Sequence, residues 1–320
     1  MAQLTYAQAA DLLLGWDDLL ILTHVRPDGD TVGCAAGLCR ALREQGKTAY
    51  ILSDPGTSGM FTMHLEGLLA PADFTPNKVV AVDMAARSMF HEGAKPYMDR
   101  VDLTIDHHGS QEFYAKDTCV EPDRAACGEI IYEIVRRWGP VSAEVALPLY
   151  MAVSTDCGCF VYSNTTPECH RIAADLLACG IDFMPINRRH FRAKSFKRMK
   201  LESMLVESMR LFDDGTMAMV TLTLDMMDRL QATEEDVDNI SAFVGQVEGV
   251  KTGITVRQMA PDCCKISVRT YPAELDASRV CAQLGGGGHV AAAGVTLNMG
   301  VQDACDAILG AVRAVQASKE

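Results

Sequence analysis

Histidine and aspartate side chains stand at the ends of short apolar segments in four separate parts of the chain. They are His24, Asp28 and Asp30, then Asp83, then Asp106, His107 and His108, and finally Asp156. Carboxylate and imidazole groups are ligands for hard and borderline divalent cations. A pair of such cations, held side by side, can activate water for hydrolysis. The residue types and their placement therefore predict a two-metal hydrolase.

The elements around these residues predict a parallel sheet whose edge would collect them. Short apolar runs indicate strands at 19–24, 48–53, 79–83 and 102–106, with a further candidate at 117–121. Amphipathic segments such as 31–45 lie between them, and this alternation is typical of a parallel sheet with helices on both faces. Ligands bind such sheets beyond the carboxyl ends of the strands. We therefore expect His24, Asp83 and the 106–108 triplet to meet at one edge.

Each of these residues also has a simpler interpretation. Asp30 could cap a helix starting at Thr31, and taken alone this is the favoured role for it. Asp83 could cap a helix starting at Met84, and Asp156 could form a local turn. A single histidine is most often a loop residue with ordinary partners. The coincidence of four such segments at element ends makes metal binding the preferred interpretation of the set.

Length and charge limit the class of function. The 320 residues are enough for two domains, and a net charge of −13 argues against a broad basic surface for long duplex nucleic acid. A short or small phosphate substrate remains compatible, because bound cations invert the local field.

The cysteines and the N-terminus indicate a reduced, cytoplasmic protein. None of the 12 cysteines forms a CxxC pair, and several lie among apolar residues of expected helices. No stretch approaches the roughly 20 apolar residues that span a bilayer. We expect no membrane association, and the N-terminal segment and the 125–182 helices are candidates for a homodimer face.

The second half of the chain predicts a smaller α/β domain. Expected features are a helical stretch over 125–182 with breaks near 139–140 and 158, hairpins at 208–224 and 252–270, and helices at 276–284 and 301–317. A basic cluster at 187–198 interrupts the acidic chain. We expect a metal-binding catalytic domain at 1–187, a linker at 188–200 and a substrate-binding domain at 201–320, with the active site in the cleft between the domains.

In order and spacing, the His24-x-x-x-Asp28-x-Asp30 loop, Asp83, the Asp106-His107-His108 triplet and Asp156 resemble the DHH phosphoesterase superfamily. The stretch 285–294, Gly-Gly-Gly-Gly-His-Val-Ala-Ala-Ala-Gly, is similar to the motif of the DHH-associated C-terminal domain. The resemblance covers nearly the whole chain. Among the superfamily's branches it is strongest to the bifunctional oligoribonucleases and 3′-phosphoadenosine 5′-phosphate phosphatases. Cys34 departs from a serine common at that position, and we expect it to be a packing substitution.

The resemblance implies a role for each member of the metal-binding set. One cation would take His24, Asp28 and Asp83; the other would take Asp30, Asp83, His107 and Asp156. Asp83 would bridge the cations, Asp106 would orient an imidazole, and His108 would face the scissile phosphate, which makes these three the expected catalytic residues. The mixed imidazole and carboxylate set favours Mn²⁺, with Mg²⁺ or Co²⁺ as alternatives.

The C-terminal motif implies binding of the rest of the substrate. The expected residues are Gly286, Gly287, Gly288 and His289, together with Ser267, Arg269 and Arg257. Ser267 and Arg269 would share one face of a strand, and Arg269 is the first choice for a terminal phosphate. A glycine run can also be only a turn, and an arginine on a strand can be only solvated. The basic cluster at 187–198 is better explained as a solvated face than as an RNA path.

Four other functions stay open. A cyclic-di-AMP phosphodiesterase would use the same motifs. A family II pyrophosphatase is less favoured because its basic Arg-Lys-Lys type motif is not found here, and a RecJ-type exonuclease is less favoured because those chains usually carry further DNA-binding segments. A nucleotide-binding module without catalysis is disfavoured by the intact ligand set. The preferred substrates are short RNA and 3′-phosphoadenosine 5′-phosphate.

Overall fold

A computed structural model describes residues 2–237, 239–271 and 275–318 of the protein. The chain divides into two compact units, residues 1–193 and 194–320. Within the described residues, no helix is both long and apolar enough to cross a membrane. All twelve cysteines are free thiols.

Unit 1 is built on a parallel sheet, as the alternation of apolar runs predicts. Its strands are β1 (Ala2–Gln3), β2 (Leu19–Leu22), β3 (Ala49–Ile51), β4 (Lys78–Val82), β5 (Leu103–Asp106) and β6 (Asp117–Val120). The order across the sheet is β1-β6-β5-β4-β2-β3, and every pairing is parallel. The five expected strands are confirmed to within two residues at each end. The two-residue β1 was not expected, because it is too short to carry an apolar pattern.

The two faces of this sheet are covered differently. The α-helices are α1 (Tyr6–Leu14), α2 (Gly29–Glu44), α3 (Cys127–Val135), α4 (Ala143–Asp156), α5 (Pro167–Ala178) and α6 (Met184–Asn187). Residues of α1 to α5 pack with Leu19 and Ile21 on one face. The opposite face, with Leu20 and Leu22, packs against segments that contain the short 3-10 helices Arg87–Met89 and Lys95–Arg100. The second covering layer is thus irregular rather than α-helical.

Helices α2 and α4 pack in close contact because small residues face each other. A Cβ on Gly33 would lie 2.4 Å from the carbonyl oxygen of Pro148, and one on Gly29 would lie 2.3 Å from Oγ1 of Thr155. Contacts that short are not tolerated, so only glycine allows this approach. Pro148 has no N–H, and the carbonyl that it frees on Glu144 accepts a hydrogen bond from Arg40 at 2.8 Å. The contact brings the start of α2 beside the end of α4.

Unit 2 contains a mixed sheet and the expected hairpins. Its strands are β7 (Arg210–Phe212), β8 (Met217–Leu222), β9 (Thr252–Ala260), β10 (Cys263–Thr270), β11 (Gly287–Gly288) and β12 (Ala292–Leu297), in the order β11-β12-β10-β9-β8-β7. Only β8 and β9 pair in parallel among these strands. The helices are α7 (Phe196–Glu207), α8 (Leu224–Leu230), α9 (Ala277–Ala282) and α10 (Val301–Ala317).

The segment expected to be a linker has regular structure in both of its halves. A π-helical turn covers Arg188–Arg192, and α7 begins at Phe196 with Ser195 as its N-cap. The side chain of Ser195 accepts a hydrogen bond from the backbone N–H of Arg198 at 3.0 Å. The basic cluster is therefore a turn followed by a capped helix.

Candidate metal centre

Asp83 lies directly after β4, with its two carboxylate oxygens facing different histidines. Oδ2 is 3.8 Å from Nε2 of His24, and Oδ1 is 3.6 Å from Nε2 of His107. Oδ1 is buried and has no hydrogen-bond partner among the described residues. The residue has φ = +54°, a strained backbone conformation for a residue other than glycine. A buried carboxylate oxygen left without a partner fits a cation as its missing partner.

The first group of ligand atoms combines His24, Asp28 and Asp83. Nδ1 of His24 donates to the carbonyl of Val25 at 3.0 Å, which leaves Nε2 facing Oδ1 of Asp28 at 3.6 Å. Asp28 is also the N-cap of α2, since its Oδ1 accepts from the backbone N–H groups of Asp30 and Thr31. The simpler interpretation of Asp30, as the cap of this helix, was wrong. The helix begins two residues earlier than predicted, so the cap falls on Asp28.

The second group combines Asp30, His107 and Asp156. Nε2 of His107 lies 3.8 Å from Oδ2 of Asp30 and 3.6 Å from Oδ2 of Asp156. Nδ1 of His107 donates to the carbonyl of Arg124 at 3.1 Å, so that Nε2 is the nitrogen left for a cation. Asp156 is the last residue of α4 rather than part of a separate turn.

Asp30 is buried, and several hydrogen bonds fix the position of its carboxylate. The backbone N–H groups of Cys127 and Gly128 donate to it at 2.7 and 3.0 Å. The thiol of Cys34 donates to the same carboxylate at 3.2 Å and is itself fully buried. Cys34 thus both packs inside α2 and supports a carboxylate of the site.

Asp106 orients His108. Its Oδ1 accepts from Nδ1 of His108 at 2.8 Å and from the backbone N–H of His107 at 2.8 Å. Its Oδ2 accepts from Nε2 of Gln111 at 2.7 Å. A carboxylate can only accept, so Nδ1 of His108 carries the proton and Nε2 is left free for another partner. Nδ1 of His108 also lies 3.6 Å from Oδ1 of Asp83.

The crowding of carboxylates gives the site a strong preference for positive charge. Burial raises the pKa of Asp30, and the charges of Asp156 and Asp28 raise it further. Burial also raises the pKa of Asp83, followed in effect by the charge of Asp30. Buried anions of this kind are stable only when protonated or paired with cations. The donor set therefore fits divalent cations. The expected ligands form the two groups above, and Asp83 and His107 form a further group with His108; within each group the ligand atoms lie within 4.8 Å of one another.

The simpler interpretation of Asp83 was wrong. No α-helix begins at Met84 in the described chain; the next element is the 3-10 helix Arg87–Met89. Asp83 is therefore not the N-cap of any described helix. The residues after it form a loop, and the side chain of Gln111 donates to the carbonyl of Met84 in that loop at 3.0 Å. The positive φ of Asp83 therefore does not arise from a helix terminus.

The sequence did not predict the groups that hydrogen-bond to the expected ligands and to Asp106. Gln111 holds Asp106, the carbonyl of Arg124 holds His107, and the side-chain amide of Asn164 donates to the carbonyl of Asp156 at 3.2 Å. Gln111 lies three residues after His108, which is a weak local indication. Arg124 lies 17 residues from His107 and Asn164 lies 8 residues from Asp156, and neither belongs to a motif, so only the fold reveals them.

On unit 2, the two arginines expected to contact substrate differ in their partners. Arg269 donates to the carbonyl of Val268 and to Oγ of Ser241, each at 3.2 Å, and no carboxylate of the described chain pairs with it. Burial lowers the pKa of this guanidinium. Arg257 forms an ion pair with Glu234, although its buried Nε has no hydrogen-bond partner among the described residues.

Ser267 lies next to Arg269 on the predicted face of β10. Along β10 the even-numbered residues are buried and the odd-numbered ones are more exposed, as alternation along a strand requires. Ser267 is paired with Thr255 on β9 and with Gly294 on β12. Ser267 and Arg269 therefore share one face of the sheet.

The glycine run divides into packed and open positions. A Cβ on Gly286 would lie 2.4 Å from the carbonyl of Gly294, and one on Gly288 would lie 2.6 Å from the carbonyl of Ala292. Gly287 has open space where a Cβ would stand. His289 is exposed in the turn that joins β11 to β12, where its N–H donates to the carbonyl of Ala292 at 2.8 Å. Two of the glycines are thus explained by packing, and Gly287 offers an accessible backbone.

The parallel sheet, the ligand atoms at its carboxyl edge and the oriented histidine together form a site that fits divalent cations. Residues 18–181 match the model of the DHH family, N-terminal domain. The chain belongs to the DHH family of phosphoesterases.

Curated relatives agree with this assignment, and a solved structure shows the same fold. The bifunctional oligoribonuclease and PAP phosphatase NrnA of Thermus thermophilus is 32% identical over 92% of this chain and 89% of its own length. The cyclic-di-AMP phosphodiesterase PdeA of Listeria monocytogenes is 23% identical over 90% of this chain, which covers 46% of that protein. An exopolyphosphatase-related protein from Bacteroides fragilis has the same fold, with a TM-score of 0.86, 22% identity and 98% of both chains covered.

Proposed function

We propose that this protein hydrolyses short oligoribonucleotides to mononucleotides and removes a phosphate from 3′-phosphoadenosine 5′-phosphate, using two divalent cations, preferably Mn²⁺. The observation that carries the proposal is the position of Asp83, whose two oxygens face two separate ligand groups. The name of the Thermus thermophilus relative, a bifunctional oligoribonuclease and PAP phosphatase, supports the choice of substrates.

The residues of the chain divide between two cations in this proposal. His24, Asp28 and Asp83 would hold one, and Asp30, Asp83, His107 and Asp156 would hold the other. When bound, the cations would supply Lewis-acid chemistry that acidifies water and offsets the charge of the substrate phosphate. The combination of imidazole nitrogens with carboxylate oxygens favours Mn²⁺ over Mg²⁺, which prefers an all-oxygen environment.

His108 would contact the scissile phosphate. Asp106 occupies Nδ1 of this histidine, so Nε2 is the atom available to the phosphate or to the leaving ribose oxygen. The hydrogen bond to Asp106 raises the pKa of His108 and so favours the protonated ring, in which Nε2 also carries a hydrogen. A fixed donor at that atom would stabilise the charge that develops on oxygen during displacement. Asp106 itself touches no substrate in this scheme and acts through the imidazole.

Unit 2 would bind the remaining part of the substrate. Arg269 is the preferred group for a terminal phosphate, because it is half-buried and lacks a described carboxylate partner. Ser267, the accessible backbone at Gly287 and the exposed His289 would add hydrogen bonds. Arg257 is a weaker candidate because Glu234 already pairs with it. Gly286 and Gly288 would act by shaping this segment.

A cyclic-di-AMP phosphodiesterase is the second candidate. The similarity to a protein named cyclic-di-AMP phosphodiesterase PdeA favours it, and the metal-binding residues would serve both reactions. The acidic net charge of −13 disfavours long duplex substrates in either case. A cytoplasmic location and a homodimer stay predictions.

A comparison of substrates tests the proposal. The purified protein with Mn²⁺ is assayed on RNA of about two to five nucleotides, 3′-phosphoadenosine 5′-phosphate, cyclic-di-AMP and pyrophosphate at equal concentrations. We expect mononucleotides from the short RNA and inorganic phosphate from the phosphoadenosine phosphate. Faster turnover of cyclic-di-AMP or pyrophosphate would contradict the substrate assignment. No turnover of any of them, with Mn²⁺ bound, would contradict the enzymatic role.

A further inference from the structure

The loop 121–128 contacts two residues of the second ligand group through its main chain. The carbonyl of Arg124 accepts from Nδ1 of His107 at 3.1 Å. The N–H groups of Cys127 and Gly128, in the first turn of α3, donate to Asp30 at 2.7 and 3.0 Å. Two ligands from different elements, one after β5 and one in α2, thus depend on the shape of one short loop.

The third residue of that group is joined to the same loop by an asparagine. The side-chain amide of Asn164 donates to the carbonyl of Ala125 at 3.1 Å and to the carbonyl of Asp156 at 3.2 Å. Asp30, His107 and Asp156 are therefore all connected to residues 124–128. Within the described chain, the side chains of His24, Asp28 and Asp83 make no hydrogen bond to this loop, whose contact with the group is between the thiol of Cys127 and the backbone N–H of Asp83.

A fully buried glutamate holds the loop in place. Oε1 of Glu129 accepts from the backbone N–H of Ala125 at 3.2 Å, and its Oε2 pairs with Nη1 of Arg124 at 3.2 Å. The guanidinium of Arg124 is fixed further by the hydroxyl of Tyr6 at 3.1 Å and by Glu168 at 3.8 Å. Glu129 has 0% of its side chain exposed, so protein groups rather than solvent must compensate its charge.

We propose that Glu129 is a positioning residue for the metal centre, which fixes Asp30, His107 and Asp156 by holding Arg124 and Ala125. This inference rests on the proposed two-cation site. Glu129 touches no ligand directly. Its effect passes through the main chain of the loop, which selects the His107 nitrogen that carries the proton and the orientation of the Asp30 carboxylate.

A change at Glu129 should affect cation binding by the second ligand group and not by the first. Substitution of Glu129 by glutamine keeps the volume, but it removes the charge that pairs with Arg124 and places an amide N–H₂ beside a guanidinium or a backbone N–H. The loop must then shift to satisfy these donors. We expect the second group to lose cation affinity by about 10-fold or more, the range for changes behind metal ligands. The first group should keep its affinity.

Helix α3 offers a matched control. Glu133 is also a buried glutamate of this helix, and it pairs with Arg136 at 2.9 Å. Its described contacts do not reach the loop 121–128. Glu129→Gln and Glu133→Gln therefore remove the same chemical group from similar surroundings. Arg124→Lys, which keeps the backbone carbonyl and a positive charge, serves as a milder second variant should Glu129→Gln fold poorly.

The experiment measures Mn²⁺ binding by electron paramagnetic resonance and, in the metal-free protein, the imidazole ¹⁵N shifts of His107. We expect Glu129→Gln to keep one tight Mn²⁺ site, to weaken the other about 10-fold and to lose the single Nδ1–H form of His107. Glu133→Gln should match the wild-type protein in all three. Unchanged binding and an unchanged His107 in Glu129→Gln would overturn the inference, and so would equal losses in both variants.

The two proposals fail in distinguishable ways. If the wild-type protein binds fewer than two Mn²⁺ ions, the two-cation function fails. The His107 shifts of the metal-free variants still decide whether Glu129 positions that imidazole.

Discussion

Asp106 holds His108 through a hydrogen bond from Nδ1 of the imidazole to Oδ1 of the carboxylate, at 2.8 Å. Asp106 is fully buried at the end of β5, while the His108 side chain is 39% exposed. The bond thus anchors a partly accessible ring to the sheet. It also defines the tautomer, because the carboxylate can only accept.

Replacing Asp106 with asparagine should lower kcat while leaving the metal-binding residues in place. Asp106 accepts hydrogen bonds from His107, His108 and Gln111, and the NH₂ group of an asparagine would face at least one of these donors. The tautomer and orientation of His108 would then no longer be fixed. We expect a loss of about 100-fold in kcat, within the range for a positioned acid or base. Steady-state kinetics on a dinucleotide, with Mn²⁺ content measured in parallel, tests this.

Asp102→Asn is the control for this substitution. Asp102 is a buried carboxylate at the opposite end of the same strand, where it pairs with Lys116 at 2.7 Å. A wild-type kcat in Asp106→Asn, or an equal loss in Asp102→Asn, would remove the proposed role of Asp106.

Replacing Asp83 with asparagine should abolish turnover, because both ligand groups lose the charge of the carboxylate that they share. Asparagine is the suitable substitute since it tolerates the positive φ of +54° better than alanine does. We expect kcat/KM to fall by at least about 1,000-fold, corresponding to roughly 4 kcal/mol of lost transition-state stabilisation, and the Mn²⁺ content to fall with it. Retention of wild-type kcat/KM would contradict the bridging role.

The same substitution should stabilise the metal-free protein. Burial raises the folded-state pKa of Asp83, so the stability that its protonated form contributes is present below the unfolded value near 3.8 and is lost as pH rises through the raised folded pKa. Asparagine has no such loss. Near pH 8 in EDTA we expect the variant to melt at least about 2–4 °C above the wild-type protein, the shift for roughly 1 kcal/mol in a domain of this size.

Calorimetry at two pH values tests the sign of this effect. The difference between variant and wild type should shrink near pH 5, and excess Mn²⁺ should reverse it because only the wild-type protein gains the full binding energy. A metal-free variant that melts below the wild-type protein near pH 8 would show that Asp83 is not a destabilising charge.

The parallel sheet and most of its strands could be predicted from the sequence because each strand is a short apolar run that ends at a polar or turn residue. The hairpins of unit 2 were predictable for the same local reason, and both are confirmed. The irregular layer against Leu20 and Leu22 was not predictable, because 3-10 turns carry no apolar period.

The site was predictable only as a set of ligands. His24 and Asp83 can be recognised because each follows an apolar run. The helix cap at Asp28 and the strained backbone of Asp83 cannot, because they depend on where the chain turns next. Supporting contacts such as Asn164 to Asp156 join residues through the fold and leave no spacing to recognise.

Removing the guanidinium of Arg269 should weaken binding of terminally phosphorylated substrates. A charge-assisted hydrogen bond contributes about 1.5–3 kcal/mol, so we expect KM to rise by at least about 10-fold in Arg269→Ala with kcat changed less than about 2-fold. Lys265→Ala is the control, since Lys265 lies exposed on the same face of β10. A large loss of kcat with an unchanged KM would contradict this role. It would mean that Arg269 acts on the reacting atoms or is needed for folding.

A pair of glycine substitutions should separate packing from substrate contact in the 285–288 run. Gly286→Ala places a Cβ 2.4 Å from the carbonyl of Gly294 and close to Val295, and backbone on both sides leaves no flexible atom to move. Overpacking of this kind costs about 1–3 kcal/mol, so the urea midpoint of unfolding should fall. Gly287→Ala adds its methyl group to open space, so its midpoint should match that of the wild-type protein.

If the backbone at Gly287 approaches a nucleotide, the same methyl group should raise KM without lowering stability, because it occupies the space that the substrate needs. Equal loss of stability in both variants would mean that the run is only a packed turn, and an unchanged KM in Gly287→Ala would remove this backbone from the substrate contacts.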